Sequence, residues 1–203
     1  MNQAADASNL SAVVMLTVYW ILLIVWDHVF PPPASRRTGG SLADHAGRNN
    51  LPVSAPTRAT SLLRQSDPTF DETAFLGRAC LCYEVVLEAY AKGDAETLEP
   101  LVGQEVRDVF ARAVAARRAN GVTLEIALVA LREAEIVHAG VGKKAIKVGV
   151  RFRSELIRFT RATDGKIISG DPRQIVPTAD LWTFARDPGT GASAWRLIAT
   201  EPG

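Results

Sequence analysis

Cysteine is nearly absent from this 203-residue chain. Only Cys80 and Cys82 occur, which excludes a disulfide framework. Residues two apart on a helix point in different directions, so the pair also makes a poor metal site. Both are expected as small residues of a helix core. Histidine is equally sparse: His28, His45 and His138 lie too far apart for metal-site spacing. No metal or cofactor is implied, and His138 reads as a surface or partly buried strand residue. A basic footprint is missing from the C-terminal two thirds, where residues 67–203 carry a net charge of −1, which argues against duplex DNA as a partner. No Lys or Arg precedes Arg36. That argues against the basic start of a signal peptide and the Arg-rich presequence of a mitochondrial protein. A phosphate loop is absent too. Gly140-Val141-Gly142-Lys143-Lys144 has Val137 where the first glycine should stand and Lys144 in place of the magnesium-binding hydroxyl residue. It reads as a hairpin turn.

What is present begins with a long apolar run. Leu10–Trp26 passes without a formal charge, and Val29 and Phe30 extend it. A bilayer core of about 30 Å needs ~17–25 helical residues, so residues 10–30 are expected to form a transmembrane helix behind a short translocated tail, residues 1–9. Tyr19, Trp20 and Trp26 are its candidate interfacial anchors, Tyr19 and Trp20 sitting rather deep for that role. The positive charges that follow hold the remainder on the cytoplasmic side. The expected location is a bacterial inner membrane, single-pass, with the C-terminal domain in the cytoplasm; the mitochondrial equivalent is the matrix side.

Pro31-Pro32-Pro33 ends that helix, because proline lacks the amide donor and clashes with the preceding turn. Residues 31–66 are rich in Pro, Gly, Ser, Thr, Ala and Arg, and read as a flexible linker with too little apolar surface to offset ordering. Such a tether reaches roughly 30–36 Å. Its five arginines, Arg36, Arg37, Arg48, Arg58 and Arg64, are candidate membrane-surface residues, each worth about 1 kcal/mol beside anionic lipid. The alternative is that they enforce only topology and solubility.

Residues 67–203 read as one domain. Asp71 is placed to cap a helix carrying Phe75, Ala79, Cys82, Tyr83, Val86 and Tyr90 at helical spacing, which Gly93 stops. Asp94 caps a shorter segment with Leu98 and Leu101. A third helix runs from Gly103 to Ala119, with Val106, Val109, Phe110, Ala113 and Val114 on its apolar stripe and Arg107, Arg112, Arg117 and Arg118 outside it. From Val122 the period changes to two. Runs at Val122–Ala130, Ala134–Val141, Ile146–Leu156 and Ile175–Arg186, then a last one through Trp195, Leu197 and Ala199, are separated by turns, among them Asp164-Gly165 and Gly170-Asp171-Pro172. One-sided alternation predicts an antiparallel sheet with a single packed face. Helices first and strands afterwards make an α+β domain, its helices covering that face. Such a curved sheet forms a cone able to enclose a pocket.

Several segments in order carry a family resemblance: Phe75–Tyr90, Ala91-Lys92-Gly93-Asp94, Arg151-Phe152-Arg153-Ser154-Glu155-Leu156-Ile157, Gly170-Asp171-Pro172, Asp180-Leu181-Trp182-Thr183-Phe184-Ala185-Arg186 and Trp195-Arg196-Leu197. Over almost all of residues 70–200 the chain resembles the Tim-forty-four-like domain family. That resemblance implies the cone-shaped fold of nuclear-transport-factor-two-like proteins and a role at an inner membrane. Its mitochondrial member recruits a matrix chaperone to the import channel, and a relative anchors the mitochondrial ribosome. This chain has a span and a Pro/Arg linker where the import subunit has a charged helical region bearing much of its chaperone contact.

The resulting expectation is a membrane-anchored, non-enzymatic adaptor, linked to protein translocation or membrane-protein assembly. Its expected partners are membrane lipids, including anionic ones, or a membrane or translocating protein or peptide, with chaperone and ribosome as further options. Tyr90, Phe152, Trp182, Phe184 and Trp195 are the candidate pocket wall; they read equally as packed core. The alternative is a cone-pocket enzyme. Asp180 shares strand parity with Trp182 and Phe184, and desolvation would raise its pKa toward that of a general base. Tyr83, Tyr90 or His138 would partner it.

Overall fold

The structure, a computed structural model, describes residues 58–188, 190 and 195–203. The expected tail, span, Arg36, Arg37 and Arg48 lie outside the described residues. Among those described, no helix is long and apolar enough to cross a membrane.

Four helices precede five strands: α1 (Arg58–Ser66), α2 (Glu72–Lys92), α3 (Ala95–Leu98), α4 (Gln104–Ala119), β1 (Val122–Val141), β2 (Ile146–Ala162), β3 (Ile167–Gly170), β4 (Val176–Arg186) and β5 (Arg196–Pro202). Helix α1 corrects the expected linker, which was to run to Ser66. Its segment offers only Leu62 and Leu63 as large apolar residues, a weak stripe by composition. It is helical because Ala59, Thr60 and Leu63 bury one small face against β1.

The long helix α2 follows its sequence signals. The Asp71 carboxylate accepts from the Ala74 amide at 3.0 Å, one of the donors that a helix start leaves unpaired. At the other end Gly93 takes φ 68° and the Asp94 amide reaches back to the Ala89 carbonyl at 2.9 Å, the glycine-dependent ending that satisfies orphan carbonyls. Phe75, Ala79, Tyr83, Val86 and Ala89 are buried, while Cys82 and Tyr90 are only half-buried. Asp94 then caps α3 through the Thr97 amide at 3.1 Å. Helix α4 departs from its expected stripe. Val109 is exposed and Arg117 is buried, because Arg117 donates to the Tyr90 carbonyl at 2.7 Å and lies over the Tyr90 ring.

The sheet is antiparallel in the order β1-β2-β4-β5, with β3 also paired to β2. Its central strand, β2, buries Ile146, Val148, Val150, Phe152, Ser154, Leu156 and Phe159. The two runs expected at Val122–Ala130 and Ala134–Val141 are one strand of 20 residues. Register shifts between Leu128 and Ala130, Leu131 and Glu133, and Ile136 and His138 explain the difference. Each bulge inserts a residue and reverses side-chain parity, so the alternation breaks while the ladder continues. Helices α1 and α2 pack on this sheet, giving the α+β architecture with helices on one face of a curved antiparallel sheet. The opposite side carries cross-strand ion pairs, Glu133 with Arg153 at 3.2 Å and Glu135 with Arg151 at 3.7 Å. Exposed pairs of this kind add little stability.

Candidate functional site

Strand parity brings Phe152, Trp182 and Phe184 to the helix-facing side, where they meet α2. Tyr83 stacks on Phe152 at 4.5 Å between centroids and lies 4.7 Å from Trp182. Phe75 meets Phe184 edge-on at 5.9 Å and Trp195 at 4.9 Å. Phe152, Trp182 and Phe184 are all under 5% exposed, so these three fill the interior and are packed core. Trp195 is half-buried at its rim, with the Arg186 guanidinium 5.1 Å over its ring. Tyr90 is not brought to this cluster. Seven residues beyond Tyr83, about 10 Å along a helix, it packs on Phe110 at 4.6 Å.

A polar network sits inside the aromatic group. The Tyr83 hydroxyl donates to Asp180 Oδ2 at 2.6 Å and lies 2.8 Å from Ser154 Oγ. A phenol has one proton; Tyr83 gives it to Asp180, so Ser154 donates to Tyr83. Burial raises the Asp180 pKa above the usual carboxylate range, against the Tyr83 hydrogen bond and the nearby Arg158 charge, which lower it. Burial, followed by the negative charge of Asp180, raises the Tyr83 phenol far above its ordinary value. Tyr83 thus stays a neutral donor. Ser154 escaped the sequence reading, although it shares parity with Phe152 and Leu156.

The other expected partners lie elsewhere. His138 is exposed and its ring covers Gly149 on β2, where an added Cβ would come within 2.1 Å of Nδ1. Burial pushes the Cys82 thiol up to about 11 and raises Cys80 as well, so both stay protonated thiols near neutrality. Among the described residues, no group of three His, Cys, Asp or Glu side chains is placed to hold a metal. Arg58 is exposed on α1, and Arg64 is 3.6 Å from Glu72.

Space for a ligand is found away from the aromatic cluster. An open groove of about 420 Å³ runs between α2 and β1, lined by Glu84, Leu87, Glu88, Ala91 and Lys92 on the helix and by the five consecutive residues from Leu124 to Leu128 on the strand. Sequence reasoning missed it, because the groove depends on how far α2 stands from an edge strand.

Comparison with known proteins gives one family. The profile of the Tim44-like domain matches residues 57–202, which begins at the unexpected helix α1 and covers the domain. No curated protein matches. Among solved structures, similarity is found to the intermembrane space region of the chloroplast protein ARC6, at 10% identity and a TM-score of 0.41, covering 66% of this chain and 98% of that one.

Proposed function

Because the chain belongs to the Tim44-like domain family, we propose that it is a non-enzymatic adaptor held at a membrane by residues 10–30, its C-terminal domain binding a peptide, protein or lipid partner in protein translocation or membrane-protein assembly. The family match over residues 57–202 carries this reading. The interior of the domain adds support: among the described residues it is occupied by the protein's own aromatic side chains, and Tyr83 engages the Asp180 carboxylate beside them. The inner face of a bacterial membrane is the matching location, on the charge asymmetry around the apolar run.

Photo-crosslinking in native membranes tests the proposal. Reproducible capture of one identified translocation or assembly component by positions on residues 58–203 is the expected result. If the domain retains no membrane component and floats with no liposome, the adaptor reading fails.

The enzymatic alternative draws on Asp180, whose carboxylate accepts from the Tyr83 hydroxyl and whose pKa burial raises. A proton-transfer site also needs convergent groups around a substrate. The groove residues include neither Asp180 nor Tyr83.

A further inference from the structure

Val148, Val150 and Phe184 are buried toward the helices, so their strand neighbours Lys147, Gly149, Thr183 and Ala185 belong to the outer face of the sheet. Residues directly opposite each other on paired strands share a face. His138 on β1 lies opposite Gly149, which lies opposite Thr183, and Ala185 lies between Lys147 and Arg196. Thr183 thus has His138 across Gly149, and Lys147 and Arg196 as its diagonal neighbours. Strands about 4.8 Å apart set the backbones of Lys147 and Arg196 roughly 10 Å from each other. Two long side chains can close that span around one small anion.

The position of His138 is specified by the fold. It follows the buried Ile136 by two residues, and plain alternation would turn it toward the helices. The register shift between the two turns it outward instead. Its ring then lies over Gly149, where an added Cβ would collide with the imidazole, so glycine is what admits it. A second register shift, between Thr183 and Phe184 in the pairing of β4 with β5, borders the same row. Bulges of this kind re-aim side chains beside functional sites.

These side chains are also uncommitted. His138, Lys147 and Arg196 are exposed and Thr183 is half-buried. Among the described residues none of the four has a side-chain hydrogen bond or an ion pair. One row away, Glu135 and Arg151 offset each other at 3.7 Å. Lys143 and Lys144, in the turn beyond Lys147, add positive charge, and Asp187, two residues past Ala185, is the next carboxylate along the chain.

We propose that this corner of the outer face binds a phosphomonoester. Lys147 and Arg196 take its charge, and the Thr183 hydroxyl and the His138 ring N–H donate to its oxygens. The site goes beyond the adaptor function and does not rest on it. Charge selects the group. A phosphomonoester carries about −1.5 to −2 near neutrality and presents three strong acceptor oxygens, which suits two full cations flanked by two further donors. The phosphodiester of a lipid head group carries a single charge and leaves one cation unmatched. A carboxylate has two oxygens for four donors.

The test titrates the full chain, in nonionic detergent micelles near neutral pH, with phenyl phosphate in a calorimeter. Saturable binding is expected, with amide chemical-shift changes centred on Gly149, Thr183 and Arg196. Lys147→Glu and Arg196→Glu are each expected to weaken binding about tenfold or more, and Thr183→Val and His138→Ala severalfold. Circular dichroism checks that each variant folds. Glycerophosphoglycerol, the head group of phosphatidylglycerol, is the phosphodiester control and is expected to bind at least about tenfold more weakly. Equal binding of the two compounds would assign the cations to lipid head groups and overturn the proposal. Absence of saturable binding also overturns it, as does binding that survives both charge reversals unchanged.

Discussion

Tyr83 on α2 donates its only proton to Asp180 on β4 at 2.6 Å, with Ser154 of β2 2.8 Å away on the same oxygen. One phenol thereby joins a helix to two strands inside an aromatic shell. Removing it takes a donor from a carboxylate that burial already disfavours as a charge. Tyr83→Phe is expected to cost about 1–3 kcal/mol, the penalty for leaving such a group short of a partner. Urea unfolding of the two proteins measures it. A change of less than a few tenths of a kcal/mol would mean that water replaces the hydroxyl.

The same pair sets a pH dependence. Asp180 has its pKa raised in the folded state, so between the unfolded and folded values the native protein binds more protons. Stability then falls as pH rises through that window. The contribution is fully present below about 3.8, the unperturbed value, and is lost above the folded pKa. Asp180→Asn can still accept from Tyr83 and carries no charge. It is expected to gain stability over the wild type at pH 7 and to lose that advantage toward pH 4. A constant difference across the range would mean that burial does not govern this carboxyl.

A second relationship holds α1 in place. The Arg186 guanidinium, buried at the end of β4, bonds the Asp67 carboxylate and the Thr190 carbonyl and covers Trp195. Asp67 follows α1 directly, and its amide caps the Leu63 carbonyl at 2.7 Å. Asp67→Ala leaves a buried cation without its counter-ion, expected to cost about 3 kcal/mol, the lower end for such a loss because Asp67 is partly exposed. Hydrogen exchange is expected to rise first in residues 58–66. The carboxyl of Asp67 is held below the usual range, chiefly by the Thr69 hydroxyl. Its contribution is therefore present above about 3.8 and lost as pH falls through the lower folded value.

These relationships mark where sequence reading stops. Parity placed Phe152, Asp180, Trp182 and Phe184 on one face, and helical spacing placed Tyr83 and Tyr90 on one stripe. Neither period says which helical turn meets which strand pair. Tyr83 meets the sheet's aromatics, and Tyr90, two turns on, meets α4. The alternation of β1 was read through to Ala130, past the first register shift between Leu128 and Ala130, since bulges leave no mark in composition. Helix α1 was illegible because its buried face is built from Ala59, Thr60 and one leucine, residues a linker also contains. The groove beside β1 is a property of spacing between layers, on which sequence periodicity is silent.

The Gly170-Asp171-Pro172 turn gives a sharper steric test. Gly170 has φ 76°, and an added Cβ would lie 2.3 Å from the Arg158 carbonyl oxygen and 2.8 Å from Phe159 Cα. Backbone atoms cannot swing aside, so Gly170→Ala combines left-handed strain of about 1–3 kcal/mol with displacement of β3 from β2. The expected result is a loss of at least 2 kcal/mol on the same scale, with lost amide protection confined to residues 156–170. Gly165→Ala, where φ is 86° and the Cβ meets nothing within 4 Å, isolates the strain term and is expected to cost less. Equal effects at the two sites would show that the close approach to Arg158 and Phe159 contributes nothing.

The apolar run Leu10–Phe30 is assigned no role in recognition, and that division of labour has consequences. If the run fixes only the address, its side chains matter as hydrocarbon and its length matters as a span of about 30 Å. Replacing residues 10–30 with an unrelated apolar helix of equal length, keeping Arg36 and Arg37 behind it, is expected to preserve membrane fractionation, topology and crosslinking to the partner of residues 58–203. Deleting the run is expected to release the chain from the membrane fraction and to weaken capture, because attachment to the membrane raises the local concentration of the domain near membrane partners. The informative outcome is a split one. A replacement that fractionates with membranes yet loses its crosslinks would show that the span contacts the partner directly, and recognition would then be shared between the two ends of the chain.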